Sequence, residues 1–249
     1  STDVPLAEQH AEWAKYLGTI KDRLKHVVRI GCMGAETNTS SYSKQHVSIE
    51  GSETPYQLQL LWQGEEVLIA EGLPMTGVRG NFFMNHLMKN EADNIQKKGY
   101  MELPLGTCKN SFVCSNDMAE AAAVCLLEGP ENHVNKYYNI CGPVPQSMHE
   151  VAADLSTAMG KTVEYHALDP VQWEKDFGAV RALFRTYLRN GFYTRCSPDF
   201  YNLTGKKPTS YLEYLTTKGP HGESGLDELF AKTEHVFAKG HDAYANVKK

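Results

Sequence analysis

The chain of 249 residues carries a formal net charge of −5 and 22% charged residues, which is typical of a globular protein built from one large α/β domain or a domain with an appended lobe. No stretch approaches the roughly 20 apolar residues of a membrane-spanning helix, and the basic residues are scattered, so we expect no transmembrane segment and no nucleic-acid binding. Six cysteines without C-x-x-C spacing predict reduced thiols in an intracellular reducing compartment, cytoplasmic or organellar, and ten histidines without ligand spacing predict no metal site.

The first part of the chain predicts two helices, each followed by a strand. A helix that begins at Pro5 sets four apolar residues on one face, namely Trp13, Leu17, Ile20 and Leu24. The run "VVRIGC" over residues 27–32 predicts a parallel strand that is covered on both faces. After a loop over residues 37–54, a helix over residues 56–71 ends at Gly72, and "LPMTGVRG" supplies the next strand.

The same alternation continues in the second part. Ser115 or Asn116 is predicted to cap a helix that ends at Gly129, and "KYYNICGP" predicts a strand closed by a turn. Further on, "TVEYHAL" alternates like a half-buried strand, and Asp169 followed by Pro170 begins another helix. Strands and helices that alternate from end to end predict the α/β class.

A capping box gives one helix of this part a sharp beginning. Ser147 and Glu150 have the required spacing, and Gly160 follows the last helical position. We expect the apolar positions of this helix to face a core, and they are Met148, Val151, Leu155 and Met159.

The stretch "TGVRGNFFMNHLM" over residues 76–88 allows two interpretations. Its two phenylalanines and following apolar residues suit a helix start packed into a core. It also follows a short apolar strand, and the ligand crevice of a doubly wound sheet lies at the carboxyl ends of its strands. The stretch is therefore either core or the floor of a nucleotide pocket.

The order and spacing of several segments resemble the NmrA-like family of atypical short-chain dehydrogenases. These segments are "HVVRIGCMGAE", then "EEVLIAEGLPMTGVRGNFFMNHLM", then the run from "FVCSNDMAEAAAVCLLEG" through "DPVQWEKDF", and last "LTGKKPTSYLEYL". The resemblance extends from about Asp3 to Leu215. It implies an α/β fold with an NAD(P)-binding, Rossmann-type doubly wound parallel sheet and a small C-terminal α/β lobe.

The resemblance aligns the chain with the family only after the fourth strand of the sheet. The glycine-rich turn that holds the pyrophosphate at a helix N-terminus has no counterpart in the sequence, so we expect an incomplete sheet. Residues 1–218 are interpreted as an NmrA-like domain that lacks its N-terminal glycine-rich βαβ part. Ser1 stands where an initiator methionine would be, which suggests processing or an incomplete sequence.

Residues 219–249 are interpreted as a linker followed by a C-terminal helical extension. Five apolar residues have spacings compatible with a helix, and they are Leu226, Leu229, Phe230, Val236 and Phe237. Such a helix either folds back on its own domain or docks on a partner.

The resemblance also assigns residues to the cofactor. It places seven residues near the nicotinamide, namely Gly31, Cys32, Met33, Trp62, Gly80, Asn81 and Phe82. Gly31 and Cys32 stand at the family's serine positions, while Leu58 and Trp62 fall near its tyrosine and lysine. Neither Leu58 nor Trp62 can transfer a proton, so no catalytic residue is assigned.

Two functions remain open at this point, and the altered catalytic positions favour the first. The protein is either a non-catalytic dinucleotide sensor, regulator or subunit of a larger assembly, or an NAD(P)H-dependent reductase whose N-terminal cofactor-binding segment lies outside this sequence. NADP or NAD is expected if that segment is present, and no cofactor is expected for this chain alone. The sheet is expected to be completed by another chain or by an N-terminal segment, and an enzyme would also take a small-molecule substrate.

Overall fold

The computed structural model describes residues 6–34 and 56–231. The helices of these residues are α1 (Leu6–Thr19), α2 (Tyr56–Ala70), α3 (Met84–Lys98), α4 (Ser115–Glu128), α5 (Pro130–His133), α6 (Met148–Met159), α7 (Pro170–Phe177), α8 (Ala179–Arg189), α9 (Asp199–Thr204), α10 (Tyr211–Thr216) and α11 (Gly225–Phe230). The strands are β1 (Val27–Cys32), β2 (Met75–Gly80), β3 (Tyr100–Leu103), β4 (Lys109–Asn110), β5 (Tyr137–Ile140), β6 (Gln146–Ser147) and β7 (Glu164–Ala167). A short 3-10 helix covers Phe192–Thr194.

The main sheet is parallel, with the order β1-β2-β5. Helices α1 and α2 enclose one apolar cluster with its strands, which includes Ala14, Leu68 and Met75, and α4 packs on the sheet through a second cluster around Val78 and Met118. Parallel strands joined by helices on both faces bury most of their apolar residues. The predicted α/β class with a parallel sheet is confirmed.

A small lobe is built from short pairings and a larger core. Strands β3 and β7 pair in parallel and β4 and β6 pair antiparallel, while α3, α6, α10 and α11 pack around them. The predicted capping box is present, since Ser147 Oγ accepts from the Glu150 amide at 3.3 Å and Glu150 accepts from the Ser147 amide at 2.6 Å. Met148, Val151 and Leu155 are buried as predicted, and Met159 packs against the same core.

Four local predictions were wrong. Helix α1 ends at Thr19, so Ile20 and Leu24 lie beyond the helix on whose apolar face they were predicted. Trp13 is 63% exposed because the neighbouring Ala14 is the residue of α1 that faces the core. Residue Cys114, not Ser115 or Asn116, is the N-cap of α4, and it makes no side-chain capping bond. Strand β1 is not covered on both faces, since Ile30 is 49% exposed.

The C-terminal helix α11 packs against α3 and α10, and Leu229 is buried in the core of the lobe. Val236 and Phe237 lie outside the described residues, as does the predicted loop over residues 37–54. Between residues 6 and 34 and between residues 56 and 231, no helix has the length and apolar character needed to cross a membrane.

Candidate functional site

The parallel register brings the ends of three strands to one edge of the sheet. Cys32 lies beside Gly80, and Gly80 lies beside Ile140. The pairing extends one residue further, because the Met33 amide donates to the Gly80 carbonyl and the Asn81 amide donates to the Ile140 carbonyl, both at 2.8 Å. This carboxyl edge is the place where open α/β sheets bind their ligands.

Residues 192–197, here called the covering segment, lie across this edge and are held by Asn81. The Asn81 side-chain amide donates to the carbonyls of Tyr193 at 3.0 Å and Arg195 at 3.3 Å. Its side-chain oxygen accepts from the Phe82 amide at 2.6 Å, and the residue is 1% exposed. Asn81 therefore satisfies its polar groups within the protein and fixes the covering segment to the end of β2.

Tyr193 reaches from the covering segment to the end of β1. Its hydroxyl lies 3.6 Å from Cys32 Sγ, and its side chain is fully buried. The Phe82 ring packs edge-on against the Tyr193 ring, with 6.3 Å between centroids. Met33 and Phe82 both belong to the core of the lobe, so the core interpretation of the "NFF" stretch holds for the Phe82 side chain.

A buried ion pair lies between α2 and the sheet, on the face that α4 does not cover. Arg79 Nε donates to Glu65 Oε1 at 3.1 Å, and Glu65 is 0% exposed. Gly31 allows this arrangement, because a Cβ at that position would lie 2.9 Å from Glu65 Oε1. The Arg79 guanidinium also lies over the Tyr137 ring at 4.2 Å and near the Trp62 ring at 5.9 Å.

Electrostatic effects around this pair follow from burial. Desolvation raises the pKa of the Tyr137 phenol, with a smaller contribution from Glu65, while Arg79 opposes the change. Desolvation also lowers the pKa of the Arg29 guanidinium, which Glu65 partly offsets. The ion pair itself is buried, since Glu65 is 0% and Arg79 is 6% exposed.

The structure separates the seven residues of the sequence prediction into two groups. Five of them, namely Cys32, Met33, Gly80, Asn81 and Phe82, converge at the carboxyl edge. Gly31 and Trp62 instead contact the ion pair on the α2 face. The Cα of Gly80 packs closely against α4, because a Cβ added there would lie 2.9 Å from the Met118 sulfur.

Sequence reasoning missed the covering segment and the Glu65–Arg79 pair. The segment follows Gly191, whose φ of 77° marks a turn, and Pro198 comes after it, so "GFYTRCSP" carries a turn signal at each end. No sequence signal assigns the segment to the sheet edge, because its partner Asn81 is 112 positions away from Tyr193.

No protein-family model matches the chain. Among curated proteins, the chain is 37% identical over 174 residues to an NAD(P)H azoreductase of Xenophilus azovorans, covering 65% of the chain and 59% of that protein. It is 27% identical over 148 residues to a festuclavine dehydrogenase of Aspergillus fumigatus, covering 55% of the chain and 51% of that protein. The chain thus spans about half to three fifths of these relatives.

Solved structures show the fold. A triphenylmethane reductase of Citrobacter sp. complexed with NADP(H) is 22% identical with a TM-score of 0.64, over 83% of this chain and 69% of that one. An NADPH-dependent quinone oxidoreductase of Escherichia coli complexed with NADPH is 19% identical with a TM-score of 0.66, over the same shares. NmrA, a negative transcriptional regulator in complex with NADP, is 14% identical with a TM-score of 0.56, over 82% and 68%. This chain has the fold that these NAD(P)-binding proteins share.

Proposed function

We propose that the protein is an NAD(P)H-dependent reductase of the NmrA-like type. The observation that carries the proposal is the parallel register that brings Cys32, Gly80 and Ile140 to one sheet edge, where a doubly wound sheet binds its ligand. The 37% identity to an NAD(P)H azoreductase supports the same class of reaction. The proposal adopts the second of the two functions that the sequence left open.

The missing tyrosine and lysine do not exclude a reductase. A nicotinamide supplies the hydride itself, so the protein has to bind and orient the two reactants and exclude water. An acceptor such as a quinone or an azo compound becomes basic when it takes a hydride, and it can then take its proton from solvent. A positioned acid typically contributes about 10²–10⁴-fold, so its loss lowers the rate and leaves the reaction feasible.

In this proposal the described residues contribute one part of the cofactor site. Backbone around Gly80 and the edge residues Cys32 and Met33 would form the nicotinamide side, and Asn81 would hold the covering segment above it. Phe82 would pack behind these edge residues from the core of the lobe, while Gly31 and Trp62 would lie behind them on the α2 side. The sequence has no glycine-rich turn of the phosphate-binding type, so the pyrophosphate would need residues outside these 249.

The direct test is NADPH oxidation by the protein in its full natural length, with azo dyes, quinones and enals as acceptors. We expect turnover with at least one acceptor class. A second test is Asn81→Ala, which should lower turnover because it frees the covering segment. Tight NADPH binding without turnover across the panel would contradict the reductase.

A non-catalytic sensor or regulator is the second candidate. The side chains at the family's catalytic positions favour a sensor or regulator. Trp62, which aligns near the family's lysine, cannot act as a general acid, and its ring lies near the Arg79 guanidinium. The fold likeness to NmrA is compatible with it. NADPH binding that alters a partner interaction, with no oxidation of the cofactor, is the outcome expected for a sensor.

We further propose that β1 pairs with a strand supplied by an N-terminal segment or by another chain. In the described sheet β1 occupies one end of the strand order, and Ile30 is half exposed on it. A long unpaired strand edge favours aggregation. We expect the 249 residues expressed alone to associate, and a monomer by light scattering with a cooperative thermal transition would contradict this.

Cofactor affinity gives a related test. Isothermal titration of the 249 residues with NADPH should show a dissociation constant weaker than about 1 μM. A longer chain that carries a strand followed by a glycine-rich turn is the matched comparison, and we expect it to bind more tightly. Equal affinities would show that the turn is not required.

A further inference from the structure

Two cysteines from distant parts of the chain meet beside the carboxyl edge. Cys141 directly follows β5, and Cys196 belongs to the covering segment. The Ser197 amide donates to Cys141 Sγ at 2.9 Å, while Cys196 Sγ lies 4.0 Å from the Gly142 carbonyl oxygen. Each sulfur therefore contacts the backbone of the residue that follows the other cysteine.

The two thiols are therefore close neighbours, because the amide that contacts Cys141 Sγ belongs to Ser197, the residue next to Cys196. Their exposure differs sharply, because Cys141 is 1% exposed whereas Cys196 is exposed to solvent. Ser111 Oγ lies 3.0 Å from Cys196 Sγ and fixes its position from the side of the lobe. One thiol is accessible to a reagent in solution, and the second lies beneath it.

The remaining four cysteines are placed differently. Cys114 and Cys125 are buried, Cys108 accepts a hydrogen bond from the Asn110 side chain, and Cys32 contacts Tyr193. The proximity of Cys141 and Cys196 is therefore a specific arrangement of an exposed cysteine and a buried neighbour. In a redox-active pair, an accessible thiol attacks the oxidant and a neighbouring thiol resolves the mixed disulfide, and Cys196 and Cys141 are placed for these two roles.

We propose that Cys141 and Cys196 form a disulfide with each other when the protein reacts with low-molecular-weight disulfides of the glutathione type. The resulting bond joins the end of β5 to the covering segment. Because Asn81 already anchors that segment to the end of β2, oxidation fixes the segment covalently above the carboxyl edge. The inference does not depend on catalysis by the protein.

The reaction balances in two steps. The Cys196 thiolate attacks one sulfur of oxidised glutathione, the glutathione S–S bond breaks, and one glutathione thiolate leaves and takes up a proton. The Cys141 thiolate then attacks Cys196 Sγ, the mixed disulfide breaks, and the second glutathione leaves in the same way. The two cysteines lose two electrons and two protons in total, and oxidised glutathione gains them as two thiols.

The second step is expected to be the slow one. Burial raises the pKa of Cys141 to about 11, with the Ser197 amide opposing this and with Cys196 and Asp199 contributing to it. Since the thiolate is the attacking species, little of Cys141 is reactive at neutral pH. The mixed disulfide on Cys196 should therefore be observable before the internal disulfide forms.

The test is peptide mapping of the native protein after incubation with oxidised glutathione and alkylation of the remaining thiols. Trypsin releases Cys141 in residues 137–161 and Cys196 in residues 196–206, so the internal disulfide links these two peptides. We expect the linked pair in the wild type and in the control Cys108→Ser. In Cys141→Ser, glutathione should remain on Cys196, and in Cys196→Ser neither product should form.

The same oxidation in guanidinium distinguishes a disulfide that forms because the native fold brings the two cysteines together from one that forms by random oxidation. In guanidinium the linked pair should fall by about tenfold or more relative to other cysteine pairings, because the high effective concentration of the two thiols is lost. The proposal is overturned if the native wild type keeps glutathione on Cys196 as Cys141→Ser does, with no linked peptide. It is equally overturned if Cys108 or another cysteine replaces Cys141 in the linked product.

Discussion

The small lobe and the three-stranded sheet differ in how completely each encloses its own apolar residues. The lobe surrounds a core in which Leu155, Met101 and Leu105 are fully buried. The sheet has a comparable interior at Val78, yet Ile30 on the next strand is half exposed. A lobe of short capped helices closes locally, whereas a parallel sheet closes only when every strand has its neighbours and covering helices.

Polar groups show the same difference. The lobe begins helices with capping boxes at Ser147, Ser210 and Ser224, which satisfy backbone amides within a few residues. The sheet buries the Glu65–Arg79 pair, whose partners lie on different elements. The stability of the lobe thus depends more on local sequence, and that of the sheet more on contacts between distant elements.

The largest effect is expected from breaking the buried ion pair. Glu65→Ala removes the carboxylate beside Arg79 within a desolvated layer, which should cost about 3–5 kcal/mol in chemical denaturation. The matched control is Glu66→Ala, because Glu66 is the exposed neighbour on α2. Equal costs for the two variants would show that the sheet interior is well solvated, which would sharpen its contrast with the lobe.

A core truncation in the lobe is expected to have the next largest effect. Leu155→Ala should lower the free energy of unfolding by about 2–5 kcal/mol, since the side chain is 0% exposed and a cavity would remain. Leu127→Ala is the control, because that leucine is 86% exposed. A cost for Leu155→Ala below about 0.5 kcal/mol would place the residue outside the core.

The capping box predicts a small effect that depends on pH. The hydrogen bond from Lys109, with those from Ser147, lowers the pKa of Glu150 to about 2 from its ordinary 4.5. A lowered folded-state pKa contributes stability above pH 4.5, and this contribution is lost as the pH falls toward 2. Because Glu150 is largely solvated, Glu150→Gln should cost only about a few tenths of a kcal/mol at pH 7. The difference between the two unfolding curves should disappear near pH 2.

The smallest effect is expected at the exposed part of the sheet. Ile30→Ser should change the free energy of unfolding by less than about 0.5 kcal/mol, because the side chain is half solvated already. Val78→Ala on the buried neighbouring strand is the control and should cost more. If Ile30→Ser proves as costly as Val78→Ala in the full-length protein, a further element covers β1 there, as proposed for the completed sheet.

Local patterns in the sequence were sufficient for many elements of the fold. The Ser147 capping box, the helix start at Asp169 and the helix end before Gly72 all follow from nearest-neighbour chemistry, and the structure confirms each. Strands β1 and β2 were predictable because short β-branched or apolar runs between helices are typical of parallel strands, although Ile30 shows that β1 is covered less completely than predicted. The family resemblance had placed Cys32 and Gly80 near one site, and the parallel register of the structure brings them to one edge.

Only the tertiary structure decided which side chains share an environment. Periodicity set the apolar face of α1 but could not choose between Trp13 and the adjacent Ala14, because the angle at which a helix meets the sheet is a long-range property. The contacts from Asn81 to Tyr193 and from Cys141 to Ser197 join residues separated by 56 positions or more in the chain. No local pattern encodes such contacts, since they arise when packing brings separate elements to the same edge.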